Sequence, residues 1–329
     1  MRVVITGGTG FLGRPLVAHL ARLGYECTVL TRDPARAIAC GLPPGVKIAN
    51  AGTLPAADAV IHLAGEGVAG LWTPRKRRAI LSSRVEGTRR LIASLRSASV
   101  HPHTLLAASA VGFYGDRPGE LLDECSPVDP RAGFRSEVCR QWEAAANEAE
   151  ALGIRVINLR LGNVMHAGGG YLGGLLPIFR MLGGLAFGRS EAAIPWISRE
   201  DCLRLIVFAM ANERWYGPLN LIAPAPVTHR EFAAGLADRM HRPFLGAVPS
   251  ALVRLALGDF SSALLDDQHI VPAKALAAGF AYRHPAWHDW LEHTYPHASN
   301  AHACQFAPAR RDFAACKTSG SFCSSPVSC

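Results

Sequence analysis

Val3 to Thr6 form an apolar, β-branched run that meets glycines at 7, 8, 10 and 13, and PLVAHLARLG then carries apolar residues at helical spacing. The pattern predicts strand, tight turn, helix. Further strands are predicted over 26–32, 46–50 and 58–65, the last an unbroken apolar run that suits a parallel strand covered on both faces. A long helix is predicted over 74–98, with Ile80, Val85, Leu91, Ile92 and Leu95 as its buried stripe and Arg84 on another side. A fifth strand starts at Thr104, ends in Ser109 and runs into Tyr114. A helix over 134–152, with Trp142 in the core, then leads to a sixth strand over 154–164. Such alternation predicts an α/β fold with a doubly wound parallel sheet of the Rossmann kind.

After Gly168 the rhythm changes. A Gly-rich stretch, the apolar LLPIFRMLGGLAFG, strand-like IPWIS, a helix over 200–212 and strand-like PLNLIA follow, then the helical patterns HREFAAGLADRMH and PSALVRLALG. The last of these is apolar enough to be expected to pack inward. The expected division is therefore a nucleotide-binding core over 1–165, a smaller C-terminal α/β substrate lobe over 166–295 with returns to the core, and a tail over 296–329. The tail has no sustained periodicity and is expected to be disordered or loosely attached.

Composition narrows the class. In 329 residues, 49% hydrophobic content supplies a large core. No apolar run is long enough for a bilayer, and the N-terminus lacks a signal-peptide pattern, which predicts a soluble, cytoplasmic protein without a membrane partner. The net charge of +8 is spread over many arginines and only four lysines, without an aromatic-rich basic strip, so nucleic acid is not the expected partner. Of nine cysteines, four crowd the tail, and none has C-x-x-C spacing. Neither a metal site nor a redox pair is expected from them, and the body cysteines are read as reduced core residues.

The chemistry starts at the glycine turn. Gly7, Gly10 and Gly13 lie between a buried strand and a helix start, where backbone can approach a dinucleotide pyrophosphate. The end of the second strand is where an acid would meet a ribose 2′-hydroxyl and an arginine a 2′-phosphate. Thr31-Arg32 favours NADP(H), whereas Asp33 keeps NAD(H) open, and Arg32 could equally be an exposed strand-end charge. Leu63, Ala64 and Gly65 fall at the carboxyl edge of the sheet, where they leave room for a ribose or simply turn the chain. Ser109 and Tyr114, near that edge, are candidate catalytic hydroxyls for carbonyl or alcohol chemistry, though both are also ordinary loop residues.

From Met1 to about Arg283 the chain resembles the extended or atypical short-chain dehydrogenase/reductase superfamily, and within it the YfcH-like epimerase family proteins, a group of nicotinamide-dependent sugar-nucleotide epimerase relatives. The likeness rests on TGGTGFLG (6–13), HLAGE (62–66), LWTPRKRRAILSSR (71–84), SAVGFYGD (109–116), WEAAA (142–146), GGGYLGGLLPIFRMLGG (168–184), IPWISREDCLRLI (194–206) and VPAKALAAGFAYRHP (271–285). It implies NADP(H) over Gly7, Gly10, Phe11, Leu12 and Gly13, with Thr31 and Arg32 at the 2′-phosphate and Leu63, Ala64, Arg84 and Val164 completing the site. It implies hydride exchange at a C–OH or C=O centre of a small molecule, a nucleotide sugar or another carbonyl compound. The superfamily's Tyr-x-x-x-Lys is missing: alignment on Glu143 puts Arg135 and Cys139 at those positions, and the helix over 134–152 contains neither Tyr nor Lys. Asp267-Gln-His269 and Ser198 also depart from the usual residues. A non-catalytic, NADP(H)-responsive binding protein is the alternative these departures raise.

Overall fold

Seven parallel strands form the central sheet: β1 (Arg2–Thr6), β2 (Glu26–Thr31), β3 (Lys47–Asn50), β4 (Ala59–His62), β5 (Thr104–Ala110), β6 (Arg155–Leu161) and β7 (Gly217–Leu221). The order is β3-β2-β1-β4-β5-β6-β7, the doubly wound arrangement whose strand order reverses between β1 and β4. The computed structural model describes residues 1–51, 54–129 and 133–296. The tail beyond Pro296 lies outside them.

Alternate residues of each strand feed two cores, as the strand period of two requires. Val3, Ile5, Ile61, Leu106 and Ile157 pack on one face with Leu16 and Leu20 of helix α1 (Gly13–Arg22). Val4, Val60 and Leu105 pack on the other with Leu91, Ile92 and Leu95 of α2 (Pro74–Arg96) and Ala146 of α3 (Phe134–Asn147). All five residues of the expected α2 stripe are buried, joined by Thr88. The expected helix over 134–152 is α-helical only to Asn147 and finishes as a 3₁₀ turn over Glu148–Leu152.

The second half is braced by small sheets. Trp196–Ser198 pairs with Asn163–His166, and Gln268–Ile270 with Arg117–Leu122. The strand-like PLNLIA joins the central sheet as β7, in register with β6. A third core gathers Leu172 and Phe179 of α4 (Tyr171–Leu182), Trp196, Phe232 of α6 (His229–Arg239), and Trp287 and Trp290 of α7 (Trp287–Thr294). Between α4 and α6 runs α5 (Arg199–Ala211), which packs Leu205 and Ile206 under the central sheet.

One expectation fails. The helix Ser250–Leu257 does not pack inward: only Val253 is buried, while Leu252 and Leu255 are 55% and 84% exposed. It borders an open cavity, so only one of its apolar residues finds a wall. No helix among the described residues is long and apolar enough to cross a membrane.

Candidate active site

The glycine turn is shaped by close backbone packing. Gly7 has φ +72°, and a Cβ there would lie 2.7 Å from the Leu63 carbonyl carbon; one at Gly13 would lie 2.1 Å from the Gly7 oxygen. These two glycines seat the turn against the end of β4 and the start of α1. Gly10 is exposed, and its missing Cβ would meet only the Gly7 oxygen, at 3.2 Å. The Gly10 N–H donates to that oxygen at 3.0 Å, and no side chain caps α1. An uncapped helix start behind a turn whose Gly10 is exposed fits a pyrophosphate.

Phe11 fixes the far wall. A Cβ at Gly170 would fall 2.6 Å from the Phe11 ring, and the Arg199 guanidinium lies 5.4 Å from the ring centroid. The GGG run at 168–170 is thus the surface against which Phe11 rests. Leu12 and Leu63 are partly buried beside the first core, and Val164 is buried in it. Ala64 is half-buried and Gly65 exposed. The Arg84 guanidinium spans from α2 to α3: it lies 4.9 Å from the Trp142 ring centroid and donates to the Glu66 carbonyl at 3.0 Å. Burial lowers its pKa, and a Cβ on Gly65 would meet it at 3.5 Å.

At the end of β2 the two charges have different duties. Asp33 caps the short helix Pro34–Ala39 by accepting the Arg36 N–H at 3.0 Å, and its own N–H donates to Thr31 Oγ1 at 3.1 Å. Arg32 is exposed. Asp33 thus spends one carboxylate oxygen within its own turn.

The structure takes Ser109 and Tyr114 into a buried polar chain. Ser109, 1% exposed, donates to Glu143 Oε1 at 2.6 Å. Glu143 receives a forked pair of 2.9 Å bonds from Arg160, whose third nitrogen donates to the Tyr114 hydroxyl at 2.9 Å. Tyr114, 0% exposed, donates in turn to Asn220 Oδ1 at 2.8 Å. Burial pushes the Tyr114 phenol up to about 12. The partners come from four segments of the fold, and opposite pairing of Ser109 with Arg160 across β5 and β6 sets the register. The sequence pattern singles out neither Glu143 nor Arg160 as a partner, because strand and helix spacing do not say which buried charges meet.

Outside this chain lies a cavity of about 750 Å³ lined by Trp72, Arg77, Phe134, Arg135, Arg254 and Asp266 among others. A small second cavity, lined by Asn163, Tyr171, Pro195 and His229, shares Arg135 and Asp266 with it. Arg135 donates to Asp266 Oδ2 and to the Ser262 carbonyl, both at 2.7 Å. Burial raises the Asp266 carboxyl to about 6, against the pull of Arg135. Cys139 is buried, and burial lifts its thiol to about 11, so it stays neutral at physiological pH. Gln268, from the departing Asp267-Gln-His269 triplet, donates to the Val111 and Gly115 carbonyls at 3.0 and 2.7 Å and so anchors the turn after β5. Ser198, the other departure, caps α5 by accepting the Asp201 N–H at 3.0 Å.

Known proteins share this fold. Residues 3–220 match the NAD dependent epimerase/dehydratase family, and residues 248–294 a domain of unknown function, DUF1731. The chain is 33% identical over 287 residues to the epimerase family protein YfhF of Bacillus subtilis (strain 168), covering 86% of this chain and 94% of that one. A crystal structure of the human epimerase family protein SDR39U1 (isoform 2) with NADPH superposes with a TM-score of 0.79 at 30% identity, over 90% of this chain and 99% of the human one. The UDP-glucose 4-epimerase of Thermus thermophilus, in complex with NAD, has the same fold: its TM-score is 0.70 at 21% identity, over 92% and 100% of the two chains. With the glycine turn, the sheet order and the matched length agreeing, the chain belongs to the NAD dependent epimerase/dehydratase family.

Proposed function

We propose that the protein is an NADP(H)-dependent oxidoreductase or epimerase acting at a C–OH or C=O centre of a small-molecule substrate, a nucleotide sugar or another carbonyl compound. The observation that carries the cofactor half is the exposed Gly10 turn at the uncapped start of α1. Preference for the 2′-phosphate follows from an exposed Arg32 beside an Asp33 already engaged in capping. Phosphate oxygens would be held by Thr31 and Arg32, and the remaining wall by Gly7, Phe11, Leu12, Gly13, Leu63, Ala64, Gly65, Arg84 and Val164. The NADPH named in the human relative's structure agrees with this choice. When bound, the nicotinamide supplies or receives the hydride.

The proton at the substrate oxygen needs a group that titrates. Arg135, which the resemblance puts at the superfamily's tyrosine position, is a guanidinium and as a residue type serves to bind and orient rather than to transfer protons. Asp266, which touches Arg135 and lines both cavities, hands over the proton in this proposal, while Arg135 orients the oxygen. Ser109 and Tyr114, the hydroxyls expected from the sequence, shape the strand end through Glu143 and Arg160. The larger cavity mixes Arg77, Arg135 and Arg254 with Asp116, Asp129, Asp259 and Asp266, a lining that suits a polar substrate with several hydroxyls, and Trp72 with Phe134 offers apolar faces.

The test is stepwise. NADPH should raise the melting temperature more than NADH does, and a panel of carbonyl compounds and nucleotide sugars should then reveal NADPH consumption or epimerised product. Asp266→Asn should abolish turnover while cofactor binding persists. In the wild type, carbonyl reduction should slow as pH rises through about 6, where Asp266 loses its proton among the charges of Arg135, Asp116, Arg189 and Arg254. Binding without turnover on any substrate would instead support a regulatory NADP(H)-binding protein, the reading favoured by the inert Cys139 at the lysine position.

A further inference from the structure

We propose that Glu200, His284 and His293 form a binding site for a divalent late transition-metal ion such as Zn²⁺, holding the start of α5 to the C-terminal helix α7. The three side chains each offer one ligand atom, and these atoms lie within 4.8 Å of one another. Glu200 Oε2 and His284 Nε2 are 3.4 Å apart. That separation is too long for a good hydrogen bond. It equals the edge of a tetrahedron about 3.4 Å long, formed by ligands at roughly 2.0–2.1 Å from one zinc ion.

The fold prepares two of the ligands. Asp201, 0% exposed, accepts the N–H groups of Arg283 at 2.9 Å and His284 at 2.8 Å, which locks that segment against the first turn of α5, where Glu200 lies. Arg283 binds Glu200 through Oε1, which leaves Oε2 toward the imidazole and orients the carboxylate as an outer partner does in metal sites. His284 is 7% exposed, and its ring centroid is 4.9 Å from that of His293, with 45° between the planes. Among the described residues neither imidazole hydrogen-bonds to another protein group. His293 is exposed in the last turn of α7, so a rotamer change can carry its nitrogen inward. Two imidazoles and one carboxylate are a zinc-type donor set, with a fourth position open to water.

Nothing in the spacing advertises this site. Glu200 and His284 are far apart in the chain, and no short ligand spacing links either of them to His293. It also stands apart from the cofactor reading, since none of the three residues lines either cavity.

Titration of the full-length protein with Zn²⁺ and, separately, Co²⁺ at pH 7.5 tests the proposal, in the wild type and in H293A, E200Q and H288A. His288 lies on the same helix, is exposed and stands outside the cluster. Wild type and H288A should share a tetrahedral cobalt spectrum and a zinc-dependent rise in melting temperature. H293A and E200Q should lose both, with affinity falling at least as far as the roughly 10- to 100-fold typical when only an outer partner is removed. The difference spectrum between wild type and H293A should lack a sulfur-to-cobalt band. Equal binding by wild type and H293A, equal loss in H288A, or a difference spectrum dominated by sulfur ligation would overturn the assignment.

Discussion

Replacing Glu143 by leucine should be among the costliest single changes in the molecule. It leaves the Arg160 guanidinium, whose side chain is 4% exposed, without its carboxylate, and deprives Ser109 of its acceptor. Breaking a buried pair from one side costs about 3–5 kcal/mol, and an orphaned hydroxyl adds about 1 kcal/mol. Arg160→Met should cost less, because a stranded glutamate can take up a proton whereas a stranded guanidinium cannot shed one. The stranded carboxyl has a raised pKa in the folded state, so the loss in Arg160→Met should shrink as pH falls from 7 to 5. The double variant, with apolar groups of similar volume at both sites, should recover most of the stability. Urea unfolding followed by tryptophan fluorescence gives the four free energies of the cycle. Additive single effects, or an Arg160→Met loss as large as that of Glu143→Leu at pH 5, would refute the assignment of these residues as one coupled unit.

Gly13→Ala should destabilise by at least about 3 kcal/mol and remove NADPH binding, because its Cβ would meet the Gly7 carbonyl oxygen rather than a movable side chain; thermal unfolding with and without NADPH reads both effects. Arg32→Ala should weaken NADPH binding by roughly 10- to 100-fold, the 1.5–3 kcal/mol of a charged hydrogen bond, while leaving NADH unchanged in calorimetric titration. His62 is held neutral by burial, its pKa lowered to about 4, between Thr6 Oγ1 at 2.6 Å and Thr88 Oγ1 at 3.1 Å. Since the unfolded histidine titrates near 6.5, the stability it contributes is present above that pH and is lost as pH falls through about 4, up to about 3 kcal/mol. His62→Gln should flatten that part of the pH–stability curve relative to the wild type, and an unchanged slope would show that His62 does not titrate there.

Periodicity made the sheet legible. The α2 stripe and the first six strands follow from apolar spacing because each element buries one face or both against its neighbours. Long-range placement was hidden. Gly217–Leu221 reads only as strand-like, yet it extends the sheet beside β6 and brings Asn220 to the Tyr114 hydroxyl. The helix Ser250–Leu257 reads as buried, but the cavity beside it removes the surface its leucines would cover. The glycine turn was legible because backbone crowding leaves no alternative residue at Gly7 or Gly13. The partners of Ser109 and Tyr114 were not: Glu143 and Arg160 look like ordinary charges until helix α3 and strand β6 bring them together.

That difference bears on where proton chemistry can reside in the proposed enzyme. In the superfamily the acidic proton sits on a tyrosine one helix away from the strand that carries the serine. Here the helix that follows that strand, α3, carries Arg135 and no tyrosine, and the Ser109 hydroxyl already points its hydrogen at Glu143. Among the described residues, Arg135 donates to the Ser262 carbonyl, which accepts only, and to the Asp266 carboxyl, whose pKa burial raises to about 6. Asp266 belongs to the segment matched by DUF1731, not to the part matched by the epimerase family. The proposed reaction therefore needs both segments: the first for the cofactor cradle and the cation at 135, the second for the carboxyl that makes that cation useful.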